Sequence, residues 1–167
     1  MEITLLSEAA IKIKSKTASL LIDPVAVKTK LAAEAVLLTK KQKIPEVENM
    51  RLAISGPGEY EVGGIKITGT KAGEGNVYFL TVDGISIFVG STSAIKKETT
   101  EAQMAILLAD GLVDQSALAN GVSSVALFYG EKAAENVKAL GKEVAPTEKF
   151  VITKDKLSAE MEVVLLQ

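Results

Sequence analysis

Two-residue turns constrain this chain more than any other feature. The apolar, β-branched runs Val77–Val82 and Ile85–Val89 are separated only by Asp83-Gly84. Glu59–Val62 and Ile65–Thr68 stand in the same relation across Gly63-Gly64. Such links join antiparallel strands, because their residues take positive φ and so follow the twist of the strands they connect. Further short runs precede them: Ile3–Leu6, Ile11–Lys14, Ala18–Ile22 and Ala35–Leu38. Ile11-Lys12-Ile13-Lys14 alternates with period 2, which predicts a half-buried strand. Leu20-Leu21-Ile22 is continuously apolar, which predicts a strand covered on both faces. Asp23-Pro24 ends it, since proline has no amide proton for a ladder. Ser55-Gly56-Pro57-Gly58 is a turn cluster.

The C-terminal half mixes helix and strand. Glu131–Leu140 combines good helix formers with Gly141 as a stop. Val122–Tyr129, Phe150–Thr153 and Met161–Leu166 read as strands. Thr100–Ala109 is open: Ala and Leu favour helix, whereas Ala105-Ile106-Leu107-Leu108-Ala109 also fits a buried strand. At 167 residues with no linker or repeat, the expectation is one domain over 1–167, β-rich first and α/β after. Apolar residues make up 47% of the chain but aromatics only 4%, so Ala, Val, Ile and Leu must build the core.

Two absences remove most catalytic classes. Without Cys there is no disulfide, thiol nucleophile or thiolate ligand. Without His there is no imidazole base, no Ser-His-Asp triad and no His-ligated zinc. A balance of 19 basic to 21 acidic residues, net charge −2, argues against nucleic acid as a partner. The start, Met1-Glu2-Ile3-Thr4, lacks a basic segment followed by an apolar one, and the longest apolar runs are about five residues. A cytoplasmic chain with no membrane partner is therefore expected.

Three segments together resemble a known family: Met1–Leu6, Leu20-Leu21-Ile22-Asp23-Pro24, and Ser55-Gly56-Pro57-Gly58-Glu59-Tyr60-Glu61-Val62-Gly63-Gly64. Their order and spacing are similar to the short bacterial, lactonase-like branch of the metallo-β-lactamase fold. The likeness runs nearly end to end, through Val82-Asp83-Gly84, Val122–Tyr129 and the closing Glu162–Leu166. It implies an α/β fold, an αββα sandwich of two mixed sheets with helices outside, and makes Ala105–Ala109 a strand.

The resemblance also locates the family's metal centre, and this chain lacks its ligands. Ser7-Glu8 stands where the family has Gly-His. The Thr-His-x-His-x-Asp-His motif reads Thr39-Lys40-Lys41-Gln42-Lys43-Ile44-Pro45. Lys40, Gln42 and Pro45 replace histidines, and Ile44 replaces the Asp. Lys71 lies near a further histidine position. Ser91 falls on the bridging Asp, and Tyr129 falls near the last His. Asp23 stands where the family supports the metal from behind its ligands; a turn role before Pro24 is the plain alternative. Of the ligand positions only Glu8 has a side chain able to coordinate zinc.

The expectation is a metal-free, cofactor-free pseudoenzyme acting as a binding or scaffolding subunit, as a homo-oligomer or with a protein partner. Two alternatives stand beside it. One is a sensor of a small anion at Lys40, Lys41, Lys43 and Lys71. The other is a metal-free Ser/Lys hydrolase using Ser7 or Ser91, although no Ser-x-x-Lys motif is present. The site is further expected to close on itself, with Glu8 paired to Lys40, Lys43 or Lys71.

Overall fold

The computed structural model describes residues 1–95 and 101–167. The first half carries β1 (Glu2–Ser7), β2 (Ala10–Lys14), β3 (Ser19–Ile22), β4 (Leu31–Ala32), β5 (Ala35–Leu37), β6 (Val47–Glu48) and β7 (Leu52–Ile54). Next come β8 (Gly58–Val62), β9 (Ile65–Ala72), β10 (Gly75–Val82), β11 (Ile85–Ser91) and β12 (Ala102–Leu108). The chain closes with α1 (Gln115–Gly121), β13 (Val122–Tyr129), α2 (Ala133–Ala139), β14 (Lys149–Val151) and β15 (Glu162–Leu165). One sheet has the order β14-β1-β2-β3-β5-β7 and the other β15-β13-β12-β11-β10-β9-β8; β4 and β6 form a separate parallel pair.

Local chemistry accounts for the hairpins. Gly63 and Gly64 have φ of 54° and 80°, and Asp83 and Gly84 have 50° and 78°. Both pairs thus have the positive φ at each central residue that a type I′ turn requires. Val62 then faces Ile65, and Val82 faces Ile85. In β2, Ile11 and Ile13 are buried while Lys14 is exposed, as the alternation predicts; in β3, Leu20, Leu21 and Ile22 are all buried. The ambiguous run is a strand: β12 lies parallel between β11 and β13. Thr100, the first residue of that run, lies outside the described residues.

The two sheets share a core. Ile3, Ile13, Leu20 and Leu37 from one meet Ile67, Leu80, Ile87, Ile106 and Leu127 from the other, all fully or almost fully buried. The outer face of the seven-stranded sheet, with Phe88, Leu107 and Phe128, is covered by Leu118 of α1 and Val137 of α2.

The αββα sandwich, and with it the α/β class, is corrected here. The protein is mostly β, and its two seven-residue helices among the described residues both pack on the seven-stranded sheet. The outer face of the six-stranded sheet is covered instead by chain around β4 to β6, where Leu31 and Ala33 pack on Leu21, Val36 and Leu38. The reason is in the spacing. Leu31 and Ala33, like Val36 and Leu38, recur at i and i+2, a strand period, and Pro24 and Pro45 bracket the segment. No run of helical period is available there to build a second outer layer. Among the described residues no helix is long and apolar enough to cross a membrane.

Gly63 and Gly73 (φ 59°) separate two effects in one comparison. Both are left-handed, but a Cβ on Gly63 would lie 2.4 Å from the Ala18 Cβ, whereas one on Gly73 would meet nothing within 4 Å. Gly73→Ala should cost about 1 kcal/mol from backbone conformation alone. Gly63→Ala should cost clearly more, because the β8–β9 turn must leave the Thr17-Ala18 turn of the facing sheet. Urea unfolding of both variants checks the order, and equal costs would refute the close approach.

Candidate binding cleft

The site is built around the residue that ends β3. Asp23 is buried and left-handed, with φ of 45°. Its N–H donates to the Leu37 carbonyl at 3.0 Å. Its carboxylate accepts from the Thr39 N–H at 2.9 Å, from the Thr39 hydroxyl and from the Gln42 side-chain amide. Burial pushes the Asp23 carboxyl above the usual carboxylate range, and these hydrogen bonds, with the charge of Lys40, only partly offset that.

From the facing sheet, Tyr78 and Asn76 take up the carbonyls at the ends of β5 and β7. The Tyr78 hydroxyl lies 2.7 Å from the Leu38 carbonyl and 3.2 Å from that of Ile54. Burial first, then the negative charge of Asp23, pushes Tyr78 up to about 12. Asn76 donates from its side chain to Ser55 and Leu38 and from its backbone to the Thr39 carbonyl. Tyr129 is wholly buried and its hydroxyl has no partner among the described residues. Burial, and after it the charge of Asp23, pushes that phenol far up. It is a neutral group under ordinary conditions.

Beside this buried cluster opens a cleft of about 950 Å³. Lys40 and Lys41 enter it from the loop after β5, and Lys71 from β9. Ser91 comes from the end of β11, Ser93 from the short helical turn that follows it, and Asp110 from the loop after β12. The Asp110 carboxylate accepts from the Thr92 hydroxyl at 2.9 Å, the Ser93 N–H at 3.1 Å and the Ser93 hydroxyl at 2.7 Å. Partial burial pushes Asp110 up, but the hydrogen bonds of Ser93, Thr92 and Ser91 outweigh it, so its carboxyl sits below the usual range. Ser91 and Ser93 hydroxyls are 2.9 Å apart. Asn136, fully buried, holds the Asp110 loop on α2: it accepts from the Val113 N–H at 2.8 Å and donates to the Gly111 carbonyl at 2.9 Å.

The structure therefore brings Lys40, Lys71 and Ser91 of the expected residues into one cleft, with Lys41 beside them. Asp23, Gln42 and Tyr129 lie behind it rather than on its wall. Lys43 is exposed and does not line it. Glu8 is exposed in the β1–β2 turn and forms no ion pair among the described residues. The expected closure of the site by Glu8 and a lysine is thus overturned, because an exposed turn residue gains too little from pairing to give up its hydration. Asp110, Ser93 and Asn76 were not anticipated. Asp110 had one usable signal: a carboxylate and a glycine directly after an apolar strand, where α/β sheets place their ligands.

The donor set does not fit a zinc ion. The cleft wall carries the carboxylates of Asp110 and Glu74 and three lysine ammoniums, which have no lone pair to give. Among the described residues no group of three His, Cys, Asp or Glu gathers in an arrangement able to hold a metal.

A crystal structure from Thermotoga maritima, described as a candidate zinc-dependent hydrolase of the metallo-β-lactamase superfamily, superposes with a TM-score of 0.79. The match covers 99% of this chain and 98% of that one, at 17% sequence identity. The likeness is one of fold. No protein-family model and no curated protein matches the sequence.

Asp23 and Asp110 should move the pH dependence of stability in opposite directions. Asp23, raised by burial, takes its proton in the folded state before the unfolded state does, so acidification through its raised value adds relative stability. Asp110, lowered, contributes stability that is present above the usual carboxylate value and lost as pH falls through its own. Asp23→Asn should therefore steepen the loss of stability on acidification, and Asp110→Asn should flatten it. Urea midpoints between neutral pH and pH 3.5 test this, and three parallel curves would contradict both environments.

Proposed function

We propose that this chain binds a small anion in the cleft, at the place where the resemblance locates a metal centre, and performs no metal-dependent hydrolysis. One observation carries the reading: Lys40, Lys41 and Lys71 converge on one cleft, and none is within ion-pair distance of a carboxylate among the described residues. Like charges ~5–8 Å apart in water repel by roughly 0.5–0.8 kcal/mol. An anion held between them reverses that sign. Lysine supplies charge without the Lewis acidity that lowers the pKa of a metal-bound water, so the wall is suited to holding a ligand rather than hydrolysing it.

The Ser/Lys hydrolase reading has less behind it. The Ser91 hydroxyl faces Ser93 and the Lys71 ammonium faces the Glu74 carbonyl, so Lys71 is not placed to act as the base of a Ser/Lys pair. Pairing between copies has one feature in its favour: β8 forms the edge of the seven-stranded sheet. Glu59 and Glu61 on that strand work against it.

Isothermal titration with inorganic phosphate and pyrophosphate tests the reading. Wild type should bind pyrophosphate, more weakly as salt is raised. The triple variant Lys40→Gln, Lys41→Gln, Lys71→Gln should lose at least tenfold in affinity with its melting temperature kept. Chelator should leave the wild-type melting temperature unchanged. Unaltered binding by the triple variant would sink the proposal, as would about one tightly held metal ion per chain on elemental analysis.

A further inference from the structure

The cleft is larger than an inorganic anion needs. At about 950 Å³ it is of a size that takes a whole organic ligand, since small-molecule pockets span roughly 300–1,000 Å³. Its floor is apolar and has no part in holding charge. Along β10, Tyr78 and Leu80 face the layer between the sheets, so Val77 and Phe79 face the outer side of the seven-stranded sheet. Among the described residues α1 and α2 lie over β13 and β15. The apolar layer they cover runs on past them, through Phe88, Val77 and Phe79, into the cleft. Phe79 and Phe88 stand opposite each other on β10 and β11, with ring centroids 5.3 Å apart and planes at 64°. Phe88 is buried, whereas Phe79 is half-buried and has ring surface left to offer a ligand.

The two ends of the cleft differ in charge. Lys71 stands opposite Asn76 in the β9–β10 ladder, and the Asn76 N–H donates to the Thr39 carbonyl at 2.7 Å, which brings Lys40 and Lys41 to the same end. Three ammoniums outweigh the carboxylate of Glu74 beside them. The far end offers acceptors. The one proton of the Ser93 hydroxyl goes to Asp110, so the Ser91 hydroxyl donates to Ser93 and has lone pairs alone to show a ligand. The Asp110 carboxylate stands beside them. The strand order β12-β11-β10-β9 puts three inter-strand spacings, about 14 Å, between the Asp110 end and the Lys71 end. Pyrophosphate held by the lysines leaves the aromatic floor and the acceptor wall unfilled.

We propose that the ligand of this cleft is a nucleoside diphosphate with an amino-bearing base: its phosphates lie between Lys40, Lys41 and Lys71, its base lies on the Phe79 ring, and the amino group of that base donates to Asp110 and Ser91. The inference rests on the anion-binding reading and deepens it by naming the uncharged part of the ligand. Negative charge, planar group and donor follow one another along such a molecule in the order in which ammoniums, aromatic ring and acceptors follow one another across the sheet. The Asp110 carboxylate also fixes the orientation, because it repels phosphate from the far end.

Titration calorimetry with ADP, pyrophosphate and adenosine tests the assignment, on wild type, Phe79→Ala and Asp110→Asn, each of which is also melted. Wild type should bind ADP at least about tenfold more tightly than pyrophosphate, as stacking of a base on an aromatic ring allows, and adenosine far more weakly than ADP. Phe79→Ala should cut the advantage of ADP over pyrophosphate to about threefold or less. Should Phe79→Ala melt early, Phe79→Leu takes its place, since it keeps an apolar side chain and removes the ring. Asp110→Asn should also narrow the advantage, by about threefold, because the amide replaces one acceptor oxygen with a donor. Wild type that binds ADP no more tightly than pyrophosphate, or an advantage kept in full by the Phe79 variants, would overturn this inference while leaving anion binding intact. Wild type that binds neither compound would overturn both.

Discussion

The structure depends on one apolar layer shared by two sheets. Side chains such as Ile13, Leu20, Ile87 and Leu127 are wholly or almost wholly withdrawn from water in it, and burying each such side chain is worth roughly 1.5–3 kcal/mol. Aromatic residues are few, so the layer is filled by branched aliphatic side chains from both sheets. Wherever the layer reaches the sheet ends, backbone carbonyls would be stranded in apolar surroundings. Tyr78 and Asn76 meet that need for Leu38, Ile54, Ser55 and Thr39. Leaving such a group unpaired costs about 1–3 kcal/mol. The polar cluster behind the cleft is therefore as much a part of the core's closure as of the site.

That double role explains how the cleft keeps its shape with a donor set unsuited to zinc. Metal sites gather carboxylates and imidazoles around a cation. Here cationic lysines stand on the wall and the gathering is done by a carboxylate placed underneath, where it faces hydrogen-bond donors. On the opposite wall Asp110 is surrounded by hydroxyls and an N–H from Thr92 and Ser93, which hold its charge in place. Both arrangements use the ends of strands that run parallel to their neighbours, where side chains from distant segments come together.

Much of the fold was legible because its signals are local. Positive φ at Gly63-Gly64 and Asp83-Gly84 is a requirement of adjacent residues, and the alternation of Ile11 to Lys14 needs only one neighbouring strand. Other elements were not legible for equally physical reasons. β4 and β6 are two residues each and exist only through each other. α1 had a cap to announce it, with the Asp114 carboxylate accepting from the Ala117 N–H at 2.9 Å, but seven residues give too short a period to read. The second helix layer was expected from resemblance alone, and the i and i+2 spacing over 31–38 denies it.

The sequence by itself determined what this protein lacks and where its turns fall. The absence of Cys and His is a fact of composition that no folding can change, and the hairpins follow from residues that touch along the chain. Lys40, Lys71 and Ser91 were placed near a common site by the resemblance alone, not by any pattern in the residues themselves. Only the tertiary structure decided the rest: that Asp23 brackets the lysine loop, that Asn76 joins it to Lys71, that Asp110 forms the far wall and that Glu8 stays in solvent. These are contacts between segments far apart in the chain. Pairing of that kind is set by how two whole sheets pack, which short-range preferences do not encode.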